Sequence, residues 1–278
     1  MSPAWNASEA PALPALGIAG RLRVAWRAPL ALLLTAVAFA IFLALRGIDR
    51  LARERLPALA PFAVQGWAML ALPLLGLRLR RTGEPMHHRG ALVANHASWI
   101  DIVALQRATR AFFVSKAEVA GWPGIGQIGR AIGTEFIERR PVEAKRQTER
   151  LHARLRRGDR LCLFPEGTSS DGQRVLPFKS SLFAVFFAPD LAGMLWVQPV
   201  TLRYVPRAGL PRDFYGWWGE MDFGAHLMAV LALSRGGAVE IRFHPPLQPA
   251  AFPDRKTLAA AAETAVAAAF EPPALPVR

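Results

Sequence analysis

Cysteine is almost absent from this sequence. The single Cys162 among 278 residues excludes an internal disulfide framework and any cysteine-based zinc cluster. It lies in an apolar run, residues 161–164, that reads as a buried strand with the thiol as a small core side chain. Acidic residues are scarce too, with 21 Asp and Glu against 34 Lys and Arg, a formal net charge of +13. That excess favours a polyanionic partner, either nucleic acid or an anionic lipid surface. There is no GxSxG, which argues against a serine-esterase mechanism, and no internal repeat or low-complexity tract beyond an alanine bias. Nucleotide motifs occur only in defective form. Gly124, Gly126 and Gly129 spell GxGxxG, but Trp122-Pro123 precedes them where a dinucleotide site needs a strand leading into the turn. Gly167 and Gly172 have phosphate-loop spacing, with Gln173 where the lysine must stand. His87-His88 has no carboxylate or cysteine companion at ligand spacing, so no metal site is expected.

What the chain has in quantity is apolar sequence, 52% of its residues. Residues 28–45 carry no charge over eighteen positions, the lower bound for crossing a hydrocarbon core. Arg21, Arg23 and Arg27 precede them, and Arg46 and Arg50 follow. A second uncharged stretch, residues 56–77, is interrupted by Pro57, Pro61 and Pro73 and reads as a broken or interfacial helix. Basic residues flank both stretches, so the positive-inside rule gives no orientation and a hairpin dipping into one leaflet stays open. A cleaved signal peptide needs a short basic start, whereas about 20 nearly neutral residues precede the arginines. Between the two polyanions, these segments favour the membrane, with no nucleic-acid partner expected. The simplest partition is a membrane-attachment segment over residues 1–81 and a catalytic domain over 82–278.

Beyond residue 81 the texture is that of an α/β domain, a mixed sheet flanked by helices. Short apolar runs at 91–94, 112–114, 135–137, 161–164, 196–202 and 239–243 suit strands. Residues 141–157 suit a helix, with Pro141 near its first turn and Gly158 as its stop, and the Ala-rich residues 254–270 suit another. Directly after the run at 91–94 comes Asn95-His96-Ala97-Ser98-Trp99-Ile100-Asp101. A histidine in the turn after a strand, with a carboxylate five residues on in the first helical turn, can set Asp101 against one ring nitrogen and leave the other facing substrate. An alcohol needs such a base to attack an acyl carbonyl near neutral pH. The alternative is a capping box, with Ser98 at the N-cap and Asp101 satisfying backbone donors.

A second motif, Phe164-Pro165-Glu166-Gly167-Thr168, again follows an apolar run. Together the two motifs resemble the NHxxxxD and FPEGT signatures of the glycerolipid acyltransferase family, whose bacterial members include the 1-acyl-glycerol-3-phosphate acyltransferases. Residues 133–139, ending in Arg139, resemble that family's strand with an acceptor-binding arginine, and Val197-Gln198-Pro199-Val200 resembles its VxPV block. The resemblance spans residues 92–202. It implies an α/β acyltransferase at a membrane, working without metal or cofactor on acyl-CoA or acyl carrier protein as co-substrate and a lysolipid acceptor. Site roles follow from it: His96 as general base, Asp101 as its orienting carboxylate, and Arg139, Glu166, Gly167 and Thr168 around the acceptor head group. Glu166 suits a lipid hydroxyl or the orientation of Arg139, leaving Gly167 to offer its backbone N–H. Lys116 adds positive charge or is a plain surface lysine, and Arg139 with Arg140 is otherwise a solvated basic edge.

The acceptor expected first is 1-acyl-sn-glycerol-3-phosphate, giving phosphatidic acid at the cytoplasmic face of the inner membrane. One departure bears on it. The family often continues FPEGT with Arg-Ser, and here Ser169-Ser170 follows. Residues 164–183, 215–222 and 239–246 are similar to the lyso-ornithine-lipid acyltransferase branch, whose acceptor lacks phosphate, and this is the second expectation. A basic membrane-surface binding protein without catalysis would explain the charge and the apolar N-terminus but neither motif.

Overall fold

The computed structural model describes residues 13–52, 58–137, 144–234 and 237–270. Two helices lead the chain, α1 (Ile18–Ala52) and α2 (Ala60–Leu74). α1 takes the uncharged residues 28–45 into a helix of 35 residues, about 52 Å long at 1.5 Å per residue. Pro61 falls in the first turn of α2, where a missing N–H breaks no intrahelical bond, and Pro73 falls in its last turn. Residues 60–74 of the second apolar stretch are therefore one 15-residue helix, while residues 56 and 57, with Pro57, lie outside the described residues. Asp49 caps its start, accepting from the backbone N–H of Leu59 (2.8 Å) and Ala60 (2.9 Å).

Among the described residues, seven strands form one mixed sheet: β1 (Leu77–Thr82), β2 (Gly90–Ala94), β3 (Phe112–Lys116), β4 (Glu135–Ile137), β5 (Leu161–Leu163), β6 (Trp196–Val205) and β7 (Gly237–Phe243). Their spatial order is β1-β7-β6-β2-β5-β3-β4. Neighbours run parallel except β6 and β7. Every apolar run marked in the sequence became a strand. β1 was not among them, because its Leu-Arg alternation reads as the basic flank of the preceding apolar stretch. It pairs with β7 from Leu77↔Gly237 to Thr82↔Arg242, so the boundary drawn between residues 81 and 82 falls inside a strand of the sheet.

Helices cover both faces. On one, α2, α3 (Ile100–Ala108) and α6 (Phe223–Ala232) pack over Leu92, Ala94 and Cys162. On the other, α5 (Ala144–Arg156), a 3-10 segment (Ser180–Phe187) and α7 (Arg255–Ala267) pack over Ala91, Val93, Leu161 and Leu163. Side chains alternate between faces with the strand's period of two, and both faces are covered, which is why β2 and β5 read as continuous apolar runs. The helix expected over 141–157 is seen as α5; residues 138–143 lie outside the described residues. Cys162 is buried as expected, and burial pushes its thiol well above its ordinary range.

α1 is fastened to this domain near both ends. Arg23 donates to Ala232 O (2.8 Å), and Arg27 donates to Leu231 O (3.0 Å) and Leu233 O (2.6 Å). These guanidinium groups take up carbonyls left without intrahelical partners at the C-terminal end of α6. Farther along, Arg46 donates to Ala131 O in α4 (Ile125–Ile132). The two attachments lie about 35 Å apart along the helix axis, so α1 runs beside the domain. Its outer face is apolar and exposed at Leu22, Trp26, Leu33, Val37 and Ile41.

Candidate active site

β2 and β5 are neighbours, yet the chain leaves them for opposite faces: α3 follows β2 on one, and the 3-10 segment follows β5 on the other. Such a divergence opens a crevice at the carboxyl ends of the strands. Both sequence motifs end there. Asn95 extends the pairing of β2 with β6 by its side chain, Nδ2 donating to Leu202 O (2.9 Å) and Oδ1 accepting from Leu202 N–H (2.8 Å). The turn that follows therefore starts from a fixed point.

His96 Nδ1 lies 2.8 Å from Asp101 Oδ2. The same oxygen accepts from the N–H groups of Ala97 (2.8 Å) and Ser98 (3.0 Å), and Oδ1 accepts from the Tyr204 hydroxyl (2.6 Å). Asp101 is fully buried. A carboxylate that only accepts fixes the neutral tautomer with the proton on Nδ1, so Nε2 is a lone-pair acceptor. Among the described residues, Nε2 has no hydrogen-bond partner. The capping alternative is thus partly present, since Asp101 does satisfy backbone donors, but the imidazole shares the same oxygen. Below the ring, Phe164 stacks on His96 with centroids 4.2 Å apart.

Glu166 sits 2% exposed with its oxygens divided between two backbone donors: Oε2 accepts from His96 N–H and Oε1 from Leu176 N–H, both at 3.0 Å. Burial pushes its carboxyl from an ordinary 4.5 up to about 8, against the pull of those two N–H groups. Gly167 adopts φ +71°, and its N–H closes the turn onto Phe164 O (3.0 Å) instead of pointing at a ligand. That left-handed backbone is what favours glycine at this turn, and the side chain of Lys179 lies against it. Thr168 is buried beside it. Lys116 ends β3, and Arg139 lies outside the described residues.

Sequence reasoning missed two residues at the site. Lys179, in the Pro-Phe-Lys segment after FPEGT, lines the same cavity as His96, Gly167 and Ser169. Tyr204, near the end of β6, reaches Asp101 from 103 residues away; its only trace in the sequence is that the chain has 2 tyrosines. Trp99 is held by His226, whose Nδ1 accepts the indole N–H (2.9 Å) while Nε2 faces Phe214 O (3.1 Å).

His96 opens onto a cavity of about 2530 Å³. One side is built by α1 and α2 through residues such as Phe39, Phe42 and Trp67, and the other by Trp99, Ile128 and Phe223. It joins the histidine to the attachment helices through apolar walls, a shape suited to long hydrocarbon chains.

A family model described as Acyltransferase matches residues 78–203. A lyso-ornithine lipid O-acyltransferase of Rhodobacter capsulatus is 46% identical over 268 residues, covering 95% of this chain and 96% of that protein. A 1-acyl-sn-glycerol-3-phosphate acyltransferase of Neisseria meningitidis is 37% identical over 149 residues, 52% of this chain and 55% of that one. The crystal structure of the 1-acyl-sn-glycerophosphate acyltransferase PlsC from Thermotoga maritima shares the fold, with a TM-score of 0.57 at 22% identity over 88% of this chain and 96% of that one. Likeness along nearly the whole length, with both motifs converging on one crevice, shows that the chain belongs to the acyltransferase family and acts on lysolipids.

Proposed function

We propose that this protein transfers a fatty acyl group from acyl-CoA or acyl carrier protein to the hydroxyl of lyso-ornithine lipid. The observation that carries the reaction is His96, with Nδ1 held by Asp101 and Nε2 facing an apolar cavity at a membrane-attached wall. In the step we infer, the acceptor oxygen adds to the thioester carbonyl carbon as its proton passes to His96 Nε2. Asp101 stabilises the imidazolium. The C–S bond then breaks, and the thiolate takes the proton back from His96. Ester and free thiol are the products, and the balance needs no cofactor or metal.

The choice of acceptor leans on the 46% identity to an enzyme named for lyso-ornithine lipid and on Ser169 standing where the family often has arginine. Lys179, lying against the Gly167 turn, is assigned to the acceptor's anionic group, and Lys116 is assigned to it on its place in the sequence between the first two motif blocks alone. Arg139 is assigned to the same group on the motif match alone. Gly167 and Thr168 shape the turn beneath it. The second acceptor, 1-acyl-sn-glycerol-3-phosphate, is favoured by the relatives at lower coverage.

We assign the protein to the cytoplasmic leaflet of the inner membrane. α1 is long and apolar enough to cross a bilayer, but its fastening to the domain at Arg23, Arg27 and Arg46 fits a helix lying in the interface plane. The deciding experiment presents the two lysolipids separately to the purified full chain with one acyl-CoA. Lyso-ornithine lipid should give the higher kcat/KM. Preference for lysophosphatidic acid would overturn the acceptor and leave the reaction intact, and inactivity with both would overturn the substrate assignment.

A further inference from the structure

Asp101 is the most tightly held side chain of the site, and one of its partners belongs to no motif. Its Oδ2 is occupied by His96, Ala97 and Ser98, while the partner of Oδ1 is the hydroxyl of Tyr204, at 2.6 Å. Tyr204 is itself buried and stacks on Tyr215, with ring centroids 5.6 Å apart. Tyr215 in turn lies against Gly237, where a Cβ would come within 2.2 Å of its hydroxyl oxygen. The ring of Tyr204 is thus clamped between sheet and loop, and its hydroxyl has a fixed direction.

An ionised carboxylate only accepts, so at this contact the phenol donates. It remains protonated to do so, because burial and the adjacent Asp101 charge hold its proton well above the ordinary range. Without that donor, Oδ1 would be a buried anionic oxygen with no hydrogen-bond donor among the described residues, a situation that favours the neutral acid.

We propose that Tyr204 is a positioning residue for acyl transfer, keeping Asp101 ionised and its Oδ2 aimed at His96. This rests on His96 and Asp101 forming the general base. Tyr204 touches neither acceptor nor thioester. It acts through Asp101 on the proton affinity of the imidazole–carboxylate pair. The titratable groups facing Asp101 are His96 and Tyr204 by hydrogen bond, with Glu166 in the turn after β5 and Cys162 within β5. Loss of the phenol removes a donor that stabilises the negative charge of the pair, so the pair takes up its inactivating proton at higher pH.

The test is Tyr204→Phe in the full-length protein, which keeps the ring and removes the donor. A charge-assisted bond of this kind predicts a fall in kcat of about 10- to 100-fold. KM for acceptor and thioester should hold, and the acid limb of the kcat/KM profile should move to higher pH. Asp101→Asn, alone and combined with Tyr204→Phe, completes a double-mutant cycle. In the Asp101→Asn background, removal of the phenol should have little further effect. If Asp101→Asn is near normal, the general-base reading fails. If Asp101→Asn is impaired while Tyr204→Phe keeps wild-type kcat and pH profile, the role given to Tyr204 fails, as it also does if the two losses multiply independently. Thermal midpoints of the variants in detergent identify any loss of stability; if Tyr204→Phe is destabilised, its rates and pH profile are read well below its midpoint, where a wild-type kcat and profile counts against the proposal.

Discussion

Replacing Glu166 by glutamine separates two roles for the acidic residue of FPEGT. The family resemblance points to the acceptor head group, whereas the structure commits both carboxylate oxygens to the N–H groups of His96 and Leu176. An amide offers one oxygen to two donors. At 2% exposure no solvent completes the set, and a buried donor left without its acceptor costs about 1–3 kcal/mol. Because one of those donors is the backbone of His96, the base would shift as well, and a displacement near 1 Å lowers kcat about 100-fold. Chemical denaturation in micelles and steady-state acyl transfer read the two effects. Glu166→Gln should lose stability and kcat together, with the acceptor KM changed little. The stability difference should also depend on pH. The Glu166 carboxyl sits at about 8 in the fold against an ordinary 4.5, so the folded state binds its proton more tightly than the unfolded chain. That contribution is complete below about 4.5 and is lost as pH rises through about 8. Glutamine does not titrate, and the gap between wild type and variant should narrow from pH 5 towards pH 8. A variant as stable as wild type at every pH, with only its acceptor KM raised, would refute the bracing role and return Glu166 to the head group.

His96→Ala should lower acyl transfer by about 100- to 10,000-fold, the range supplied by a positioned general base, while flotation with anionic vesicles is unchanged; turnover close to wild type would remove His96 from the mechanism. Gly90→Ala should destabilise the fold by about 3 kcal/mol or more, since Gly90 has φ +140° and a Cβ would sit 1.8 Å from Trp196 O, and an unchanged denaturation midpoint would contradict the close approach of β2 to β6.

Much of this protein was legible because it is local. The strand period at residues 91–94 and 161–164, the turn chemistry that follows each run and the five-residue spacing of His96 and Asp101 are settled by near neighbours along the chain. They sufficed for the mixed sheet, the histidine–carboxylate pair and the long apolar helix near the N-terminus. Other features depend on partners that local patterns cannot name. β1 reads as a basic flank until β7, some 160 residues on, supplies its ladder. Nothing local in the sequence shows that folding delivers the N–H groups of His96 and Leu176 to the oxygens of Glu166, and Lys179 becomes a site residue only where Gly167 turns beneath it. The uncharged residues 28–45 meet the length for crossing a bilayer by composition alone. Only tertiary structure fastens that helix to the domain at both ends, because the carbonyls its arginines reach, at Leu231, Ala232 and Ala131, are set beside it by the packing of α6 and α4.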